Sequence, residues 1–575
     1  MKKNICFKTL VASTLVVMGL ASCNDSWDDH YKQDPNLNPS ETIWDIISSR
    51  SDLKAFADAL EKTGYATMLQ QDRSYTVWVP KTFDCTFPND SLLKVEFVEN
   101  HIADFPHVAT GNLVNNRVKM LNGKYTPFLG SAGRYTFKGN ALVEKNIPAK
   151  NGIIHIIDNY SVFTTNIWEA LEHIDSLSLI NEFLKSYDEV IFDPNQSIEG
   201  PIIDGQVTYL DSVTIDNNKW FSSIGRLNRE DSTYLMIAPT NKAWREAYAK
   251  IKEYYKYPLD NVDGDSLQDE LTKSTICKHI VFSKGINRIK DDKQFFADAD
   301  SLVSNYNNSY SGVKFYNWTY FTNEYGKKIK RDQYIGEVDD LFKDVISTEE
   351  LSNGTLYVTD KYNFSPFKCW HDTIKIEGES IVSNEESYSS CTAQYVTISR
   401  DSVALRKKIS NGAYGVFAPT SSRGNPKVTF TIPTVLSAPY LIKIVFVPAD
   451  IINKNITELA PNKFNWNLQY TPTKSSKTEA PTLGKEISND PVRLDTLVLV
   501  PDGKIDGIAC TTDYVTFPTY HEYDRTETEK EQTQLTITSK VSSSDKVSDR
   551  TFRIDCIILE PVDPETYQSV AAKQK

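Results

Sequence analysis

The sequence is poor in histidine, in positive charge and in long apolar runs. Its 575 residues include 8 histidines, and 76 acidic residues outnumber 63 basic ones, which gives a net charge of −13. An acidic chain argues against a nucleic-acid binder, because such proteins hold phosphates with Lys and Arg. It also argues against docking on anionic lipid through a basic patch. After the N-terminus, no apolar run reaches the roughly 18 residues of a transmembrane helix.

Glycine and proline are sparse too, with 24 and 25 residues. This content excludes collagen-like and low-complexity chains. Hydrophobic residues make up 40% of the chain, so it can bury several cores. At roughly 150 residues per domain, its length predicts about four domains.

The motifs of common enzyme classes are missing. The sequence has no GxSxG nucleophile elbow, no HExxH zinc motif and no Walker A loop. The six cysteines after Cys23 form no CxxC pair and no Cys/His cluster, which argues against a zinc site. We therefore predict a non-enzyme without cofactor or metal. A carboxylate pair for glycoside hydrolysis stays open, because its geometry is invisible in a sequence.

Two of these cysteines lie inside apolar runs. Cys277 and Cys556 are interpreted as buried free thiols. A disulfide stays open as an alternative, and Cys369 and Cys391 are the nearest pair along the chain.

The N-terminus has the composition of an export signal. Lys2, Lys3 and Lys8 accompany an apolar run at 9–20 that is too short to span a bilayer. The run ends in Leu-Ala-Ser-Cys, which resembles a bacterial lipobox. The resemblance implies that the sulfur of Cys23 carries the lipid anchor. A plain secretory signal with an incidental cysteine is the alternative.

The segment after Cys23 is acidic, with the sequence Asn-Asp-Ser-Trp-Asp-Asp-His. It resembles the signal that marks surface-exported lipoproteins of Bacteroidota. The resemblance implies a protein anchored by lipid in the outer membrane and exposed at the cell surface. A solvated linker without targeting function is the alternative.

Four sequence landmarks recur in the same order in two stretches of the chain. In the first stretch they lie at 42–47, 74–81, 97–102 and 151–158. In the second stretch they lie at 166–171, 233–244, 277–282 and 353–360. The second stretch is longer between the landmarks, which indicates loops that have grown on a preserved scaffold.

The order of these landmarks resembles the fasciclin-like domain, which has an N-terminal helix, a TVFAPTNxAF strand and turn, a YH motif and a closing NGxIHxID strand. The first copy departs at Lys81, and the second has Tyr357 where the family has histidine. The resemblance implies two compact α/β domains. His101 and His279 end apolar stretches and are interpreted as structural histidines, with ligand binding as the alternative.

From about Cys369 onward, short β-rich runs alternate with turn signals. The predicted strands are 393–399, 427–432, 440–447, 463–470, 494–500, 534–539 and 551–559. This pattern predicts an all-β sandwich or jelly roll. The last strand resembles that of jelly-roll carbohydrate-binding modules.

Strand 463–470 alternates aromatic or apolar residues with amides. Period two places Phe464, Trp466, Leu468 and Tyr470 on one face and Asn465, Asn467 and Gln469 on the other. The amides either face solvent or hydrogen-bond sugar hydroxyls. Trp370, Tyr414 and Phe417 fall in predicted loops, where an exposed ring could stack on a sugar. These six residues, the three amides and the three rings, are the predicted ligand contacts.

The predicted organisation has six segments. They are a signal peptide at 1–22, an acidic tether at 23–40, fasciclin-like domains at 41–163 and 164–367, a β-sandwich at 368–565 and a tail at 566–575. The resulting hypothesis is a non-catalytic surface lipoprotein that binds glycan or accompanies a SusC/SusD-like uptake transporter, the latter by analogy. A cell or matrix adhesin is the alternative, and a glycoside hydrolase in the C-terminal third is a third hypothesis.

Overall fold

The computed structural model describes residues 39–567, apart from 82–90, 115, 162–163, 196, 204–205, 288–300, 307–312, 323–327, 335, 407, 452–454, 456–459, 461, 474–491, 494–497, 500–504, 511–513 and 527–531. The predicted signal peptide, the lipid-attachment residue Cys23, most of the tether and most of the tail lie outside the described residues. Those assignments therefore stay predictions.

The described chain divides into two compact units. The first unit extends to Asn166 and also includes Asn228–Asp231 and Leu351–Asn353. The second unit comprises Ile167–Leu227, Ser232–Glu350 and the described residues from Gly354 onward. The six predicted segments are not tested by this division.

The first unit contains four α-helices and seven strands among its described residues. The helices are α1 (Ile43–Ser49), α2 (Lys54–Lys62), α3 (Tyr65–Met68) and α4 (Ser91–Glu99), with a 3₁₀ turn at Ser51–Leu53. The strands are β1 (Tyr75–Pro80), β2 (Ile102–Asp104), β3 (Arg117–Lys119), β4 (Tyr125–Ser131), β5 (Arg134–Phe137), β6 (Asn140–Ala149) and β7 (Gly152–Ile157). They form one sheet in the order β2-β1-β7-β6-β5-β4-β3.

Strand β1 is buried throughout because both of its faces are covered. Val77 and Val79 pack into a cluster with residues of α1 and α2. Trp78 points the other way, into a cluster with Phe128 and Phe137. The two clusters place a core on each side of this strand.

The buried Asn151 connects the closing strand to the N-terminal helices. Its side-chain oxygen accepts the N–H of Ile43 at 2.8 Å. Its amide group donates to the carbonyl oxygens of Leu69 at 2.7 Å and Gln71 at 2.9 Å. A satisfied buried amide of this kind fixes where α1 begins relative to β7.

The described residues in the first part of the second unit form six helices and twelve strands. The helices are α5 (Ile167–His173), α6 (Ser178–Lys185), α7 (Asn241–Ile251), α8 (Gly264–Lys278), α9 (Lys284–Asn287) and α10 (Glu337–Phe342). The strands are β8 (Asp188–Phe192), β9 (Ile198–Ile203), β10 (Gln206–Asp211), β11 (Thr214–Asn218), β12 (Tyr234–Pro239), β13 (Val281–Ser283), β14 (Ser301–Val303), β15 (Lys314–Tyr316), β16 (Trp318–Thr322), β17 (Lys328–Tyr334), β18 (Val345–Leu351) and β19 (Gly354–Thr359). Short 3₁₀ turns occupy Asp175–Leu177, Lys219–Ser222 and Lys252–Tyr255.

The central strand pairing of the first unit recurs in the second. Strand β1 runs parallel to β7 with Tyr75 opposite Gly152, and β12 runs parallel to β19 with Tyr234 opposite Gly354. Antiparallel strands β2 and β13 flank β1 and β12 in the same way. The four-stranded sheet of the second unit has the order β13-β12-β19-β18. The landmarks of the two sequence stretches therefore occupy matching positions.

The remainder of the second unit is rich in β-strands. Its helices are α11 (Pro366–Cys369) and α12 (Val403–Arg406), with 3₁₀ turns at Gly378–Ile381, Glu385–Ser387, Ser410–Gly412 and Ala449–Ile451. Its strands are β20 (Ile374–Glu377), β21 (Tyr388–Ser389), β22 (Cys391–Thr397), β23 (Ala413–Pro419), β24 (Lys427–Thr431), β25 (Thr434–Val435), β26 (Pro439–Phe446), β27 (Lys463–Gln469), β28 (Val492–Arg493), β29 (Val498–Leu499), β30 (Ile505–Cys510), β31 (Val515–Thr516), β32 (His521–Glu522), β33 (Gln534–Ser539) and β34 (Phe552–Pro561).

Two antiparallel sheets from this region pack face to face. The larger has the path β22-β23-β34-β26-β30-β29, with β20 and β31 at its sides, and the smaller has the order β21-β24-β33-β27-β28. The ring of Phe464 in the smaller sheet lies 5.3 Å from Phe446 and 5.9 Å from Phe552 in the larger. Inward-facing residues of the two sheets therefore supply one shared apolar layer.

The cysteines that the structure describes with side chains are Cys277, Cys369, Cys391 and Cys556, and all four are free thiols. Cys369 and Cys391 are therefore not joined to each other. Desolvation by burial raises the pKa of Cys369 to about 12 and that of Cys391 to about 11. Both thiols are consequently protonated and unreactive at neutral pH.

Candidate functional site

The smaller sheet of the C-terminal region carries polar side chains on its outer face. Strand β33 lies between β24 and β27, and the register aligns their residues in three rows. The rows are Lys427–Thr538–Asn465, Thr429–Thr536–Asn467 and Thr431–Gln534–Gln469. Eight of these nine side chains are hydroxyls or neutral amides, and we call the nine residues the polar grid.

Alternation along the strands explains why the grid forms. Each strand turns its other side chains inward, where Phe430, Leu535 and Trp466 are buried. The burial of β27 follows the predicted period of two, with Phe464, Trp466 and Leu468 inside. The amides of the same strand are consequently held on the opposite face.

A groove of about 460 Å³ lies over the polar grid. Asn467 and Gln469 line it, as do the threonines at 429, 431, 536 and 538. Asn384, Glu386 and Tyr523 contribute to its lining as well. We call this cavity the polar groove.

Hydrogen bonds within the grid orient several of its side chains. The hydroxyls of Thr429 and Thr536 are 3.1 Å apart. The side-chain oxygen of Gln532 accepts from the Thr431 hydroxyl at 3.2 Å and from the Gln534 amide at 2.9 Å. Such bonds reduce the rotamer freedom that a ligand would otherwise have to restrict.

One amide of the grid retains hydrogen-bonding capacity toward the groove. The side chain of Asn467, which lines the groove, makes no hydrogen bond to any residue that the structure describes. The side-chain oxygen of Asn465 also has no partner in the described structure, but it is buried and Asn465 does not line the groove. Asn467 is a neutral amide, which can donate and accept at once. The grid can therefore exchange hydrogen bonds with uncharged hydroxyl groups.

The predicted ligand contact Trp370 lies elsewhere. It lines a separate cavity of about 740 Å³ together with Tyr254, Phe367 and His371, and we call this the Trp370 cavity. The indole N–H of Trp370 and both ring nitrogens of His371 are buried and without hydrogen-bond partners among the described residues. Because these nitrogen atoms are closed off from solvent, a bound molecule would meet the aromatic ring faces instead.

The loop placement of Tyr414 and Phe417 is wrong. Both residues lie in strand β23, where they are 2% and 0% exposed. The strand is buried because it lies between β22 and β34 in the larger sheet. Rings enclosed in this way cannot stack on an external sugar, so neither residue belongs to the candidate site.

One buried carboxyl group has unusual titration. Burial raises the pKa of Asp555 to about 6, and the N–H of Ser410 donates to its two oxygens at 3.0 and 3.2 Å. The Ser410 hydroxyl also donates to Glu377 at 2.7 Å. A carboxyl group of raised pKa is typical of general acids. However, neither Asp555 nor Glu377 lines the polar groove or the Trp370 cavity.

His101 and His279 both have structural hydrogen bonds. Nδ1 of His101 lies 2.8 Å from the Phe97 carbonyl oxygen, and its Nε2 accepts the N–H of Ser161 at 2.9 Å. Nε2 of His279 lies 2.9 Å from the Cys369 carbonyl oxygen. Both rings are almost fully buried, and burial lowers the pKa of each to about 4. The structural interpretation explains these contacts.

Two features are absent from the part of the chain that the structure describes. No helix there is long and apolar enough to cross a bilayer. No group of three or more His, Cys, Asp or Glu side chains there is placed to hold a metal ion.

The chain was compared with known families, curated proteins and solved structures. No curated protein matches the chain. Among solved structures, it is similar to a FAS1 domain pair from the insect cell adhesion molecule Fasciclin I, with 14% identity and a TM-score of 0.19, over 55% of this chain and 98% of that one. It is also similar to the catalytic domain of a GH87 alpha-1,3-glucanase in complex with nigerose, with 10% identity and a TM-score of 0.16, over 33% of this chain and 28% of that one. At these TM-scores neither similarity supports a conclusion about the fold or the function of this chain. The family model of the Fasciclin domain matches residues 51–160, which lie in the first unit.

Proposed function

We propose that this chain is a non-catalytic surface lipoprotein that binds neutral glycans on the polar grid. The observation that carries the proposal is the composition of that face, in which eight of nine aligned side chains are hydroxyls or neutral amides above a groove. Sugars present many uncharged hydroxyl groups, and a neutral polar surface matches them without the desolvation cost of buried charge.

The charge of the site favours glycan over other polymers. Lys427 is the one cation of the grid, and Glu386 lines the same groove. A nucleic-acid site would need several cations to neutralise phosphates. A hydrophobic peptide would need apolar walls, which the grid does not present.

The proposal extends to the organisation of the chain. The shared register of the β1–β7 and β12–β19 pairs supports a second fasciclin-like domain at 164–367. The two facing antiparallel sheets support a jelly-roll-like sandwich in the C-terminal third. Cys23 would carry the lipid, and the acidic tether would place the protein at the cell surface.

A cell or matrix adhesin is the second candidate, because fasciclin domains are typical of adhesion-type proteins and residues 51–160 match this family. Co-purification with a SusC/SusD-like transporter would favour uptake. Binding to whole cells without such a transporter would favour adhesion. In both cases the polar grid would serve as the glycan contact.

The proposal predicts binding of the mature chain to neutral polysaccharides. We expect a signal on an array of glucans, mannans, xylans and galactans that exceeds the signal on acidic pectin and alginate. The double substitution Asn467→Ala and Gln469→Ala should weaken binding at least about tenfold, because each lost hydrogen bond contributes roughly 1 kcal/mol.

A matched control is available on the other sheet. Gln394 is an exposed amide on β22, and Gln394→Ala should leave binding unchanged. Retention of full affinity by the double variant would refute the assignment of the site. Absence of binding to every neutral polysaccharide would refute the proposed function.

A further inference from the structure

The polar groove and a second cavity share a lining residue. Tyr523 lines the polar groove and also a cavity of about 590 Å³. Tyr257 and Tyr520 line this second cavity as well, and we call it the tyrosine cavity. The two spaces therefore adjoin each other at the side chain of Tyr523.

Two strands of the polar grid lead toward the tyrosine cavity. Beyond Gln469 at the end of β27, the chain reaches Thr471, which lines that cavity. Beyond Thr431 at the end of β24, the carbonyl of Pro433 accepts the N–H of Tyr523 at 2.7 Å. From position 465 to position 471 an extended chain spans about 20 Å. This length exceeds a single sugar ring.

The chemistry of the surface changes along this direction. The grid end offers hydroxyls and amides, whereas the far end offers aromatic rings. The hydroxyl of Tyr520 donates to Glu522 at 2.8 Å, and its ring lies 5.6 Å from that of Tyr257, so this wall is held in place. Tyr523 is 38% exposed at the junction. Aromatic faces pack well against the C–H faces of sugar rings.

We infer that the ligand of this face is a glycan chain of several sugar rings, lying along the strands from the polar grid to the tyrosine cavity. This inference rests on the proposed function and adds to it the class of substrate. A single sugar or a chain end would occupy only the grid. Tyr523 would act as a positioning residue where hydrogen bonding gives way to ring stacking.

The test is an affinity series over chain length. The neutral glucan, mannan, xylan or galactan that binds on the array is partially hydrolysed and separated from disaccharide to octasaccharide. Calorimetry with the mature chain should show an affinity that rises at least about tenfold from the shortest to the longest. Tyr523→Ala should remove most of this rise, so that the ratio of octasaccharide to disaccharide affinity falls toward one, whereas Tyr523→Phe should retain the rise.

The control is Tyr395→Ala, since Tyr395 is a 65% exposed tyrosine on β22 of the other sheet. It should leave the whole series unchanged. If all lengths bind equally, or if Tyr523→Ala weakens short and long chains alike, the chain inference is wrong while disaccharide binding keeps the proposed function. If no member of the series binds, the chain inference fails, whereas the proposed function fails only if no neutral polysaccharide binds on the array.

Discussion

Gly152→Ala and Gly354→Ala are each expected to disrupt the sheet in which the glycine lies. A Cβ atom on Gly152 would stand 1.9 Å from the carbonyl oxygen of Tyr75, and one on Gly354 would stand 1.9 Å from that of Tyr234. These contacts are with the backbone of the neighbouring parallel strand, which cannot move without breaking the pairing. Both glycines also have φ near +150°, which other residues rarely adopt.

Each substitution is expected to lower the free energy of unfolding by about 3 kcal/mol or more, because the steric clash and the backbone strain add to each other. Hydrogen exchange followed by mass spectrometry reports the two sheets separately. Gly152→Ala should accelerate exchange in β1 and leave β12 unchanged, and Gly354→Ala should do the reverse.

Gly139→Ala is the matched control. Gly139 also has positive φ, at +85°, but a Cβ atom there meets nothing within 4 Å. Its substitution should lower the free energy of unfolding by only about 1 kcal/mol, because alanine adopts positive φ less readily than glycine. If the amide hydrogens of β1 exchange no faster in the Gly152→Ala variant than in the Gly139→Ala variant, the close approach of the two strands is not what requires glycine.

Acidification below about pH 6.5 is expected to destabilise the first unit. Burial lowers the pKa of His101 and of His155 to about 4, against 6.5 for an exposed histidine. Between these values the unfolded chain binds protons that the folded chain does not. The contribution of these two histidines to the free energy of unfolding is therefore fully present above pH 6.5. It is lost as the pH falls through about 4. Each histidine contributes about 3 kcal/mol at about 1.4 kcal/mol per unit of pKa.

Urea unfolding from neutral pH down to about pH 4, followed by pulsed hydrogen exchange, measures this loss. His101→Gln should be less stable than wild type at neutral pH, and its stability should fall less on acidification. A wild-type stability of the first unit that stays constant from pH 6.5 to 4 would contradict the prediction.

The stability of the second unit should change less with pH than that of the first, because its buried groups have opposing effects. His279 and His371 act in the same direction, since burial also lowers the pKa of each to about 4. Asp555 acts in the opposite direction. Its folded pKa is raised to about 6, so its contribution is present at low pH and is lost as the pH rises through that value. On acidification, the gain from Asp555 thus partly offsets the loss from the two histidines in the stability of the second unit.

The Asn-Gly landmarks show how far the sequence predicted the fold. Their position at the start of a closing strand is confirmed for Gly152 and Gly354. A turn preference explains only part of their presence, because the glycine is required by a carbonyl oxygen of another strand. Contacts between residues so far apart leave no local signal. Buried hydrogen bonds such as those of Asn151 are hidden for the same reason.

The C-terminal strands illustrate where pattern reading succeeds and fails. Strand β33 was predicted with its observed bounds, and the alternation in β27 placed its amides correctly. Strand β23 was missed because its interior contains Gly415 and its residues do not alternate, being buried on both faces from Ala413 to Phe417. Continuous burial removes the period-two signal that identifies a strand.

The residues that line the polar groove could not be predicted from any single segment of the sequence. Asn467 and Gln469 came from the β27 pattern, whereas Thr429 and Thr536 join them only through strand pairing. Tyr523 reaches the same groove from more than fifty residues further along the chain. Threonine in an exposed strand is ordinary, so only the register reveals that these hydroxyls and amides share a face.

A crystal structure of the mature chain with an oligosaccharide tests the central claim most directly. The oligosaccharide would come from the neutral polysaccharide that binds on the array. The account predicts sugar hydroxyls within hydrogen-bonding distance of Asn467 and Gln469, above the threonines of β24 and β33. A sugar found in the Trp370 cavity, or anywhere else with the polar grid empty, would contradict it.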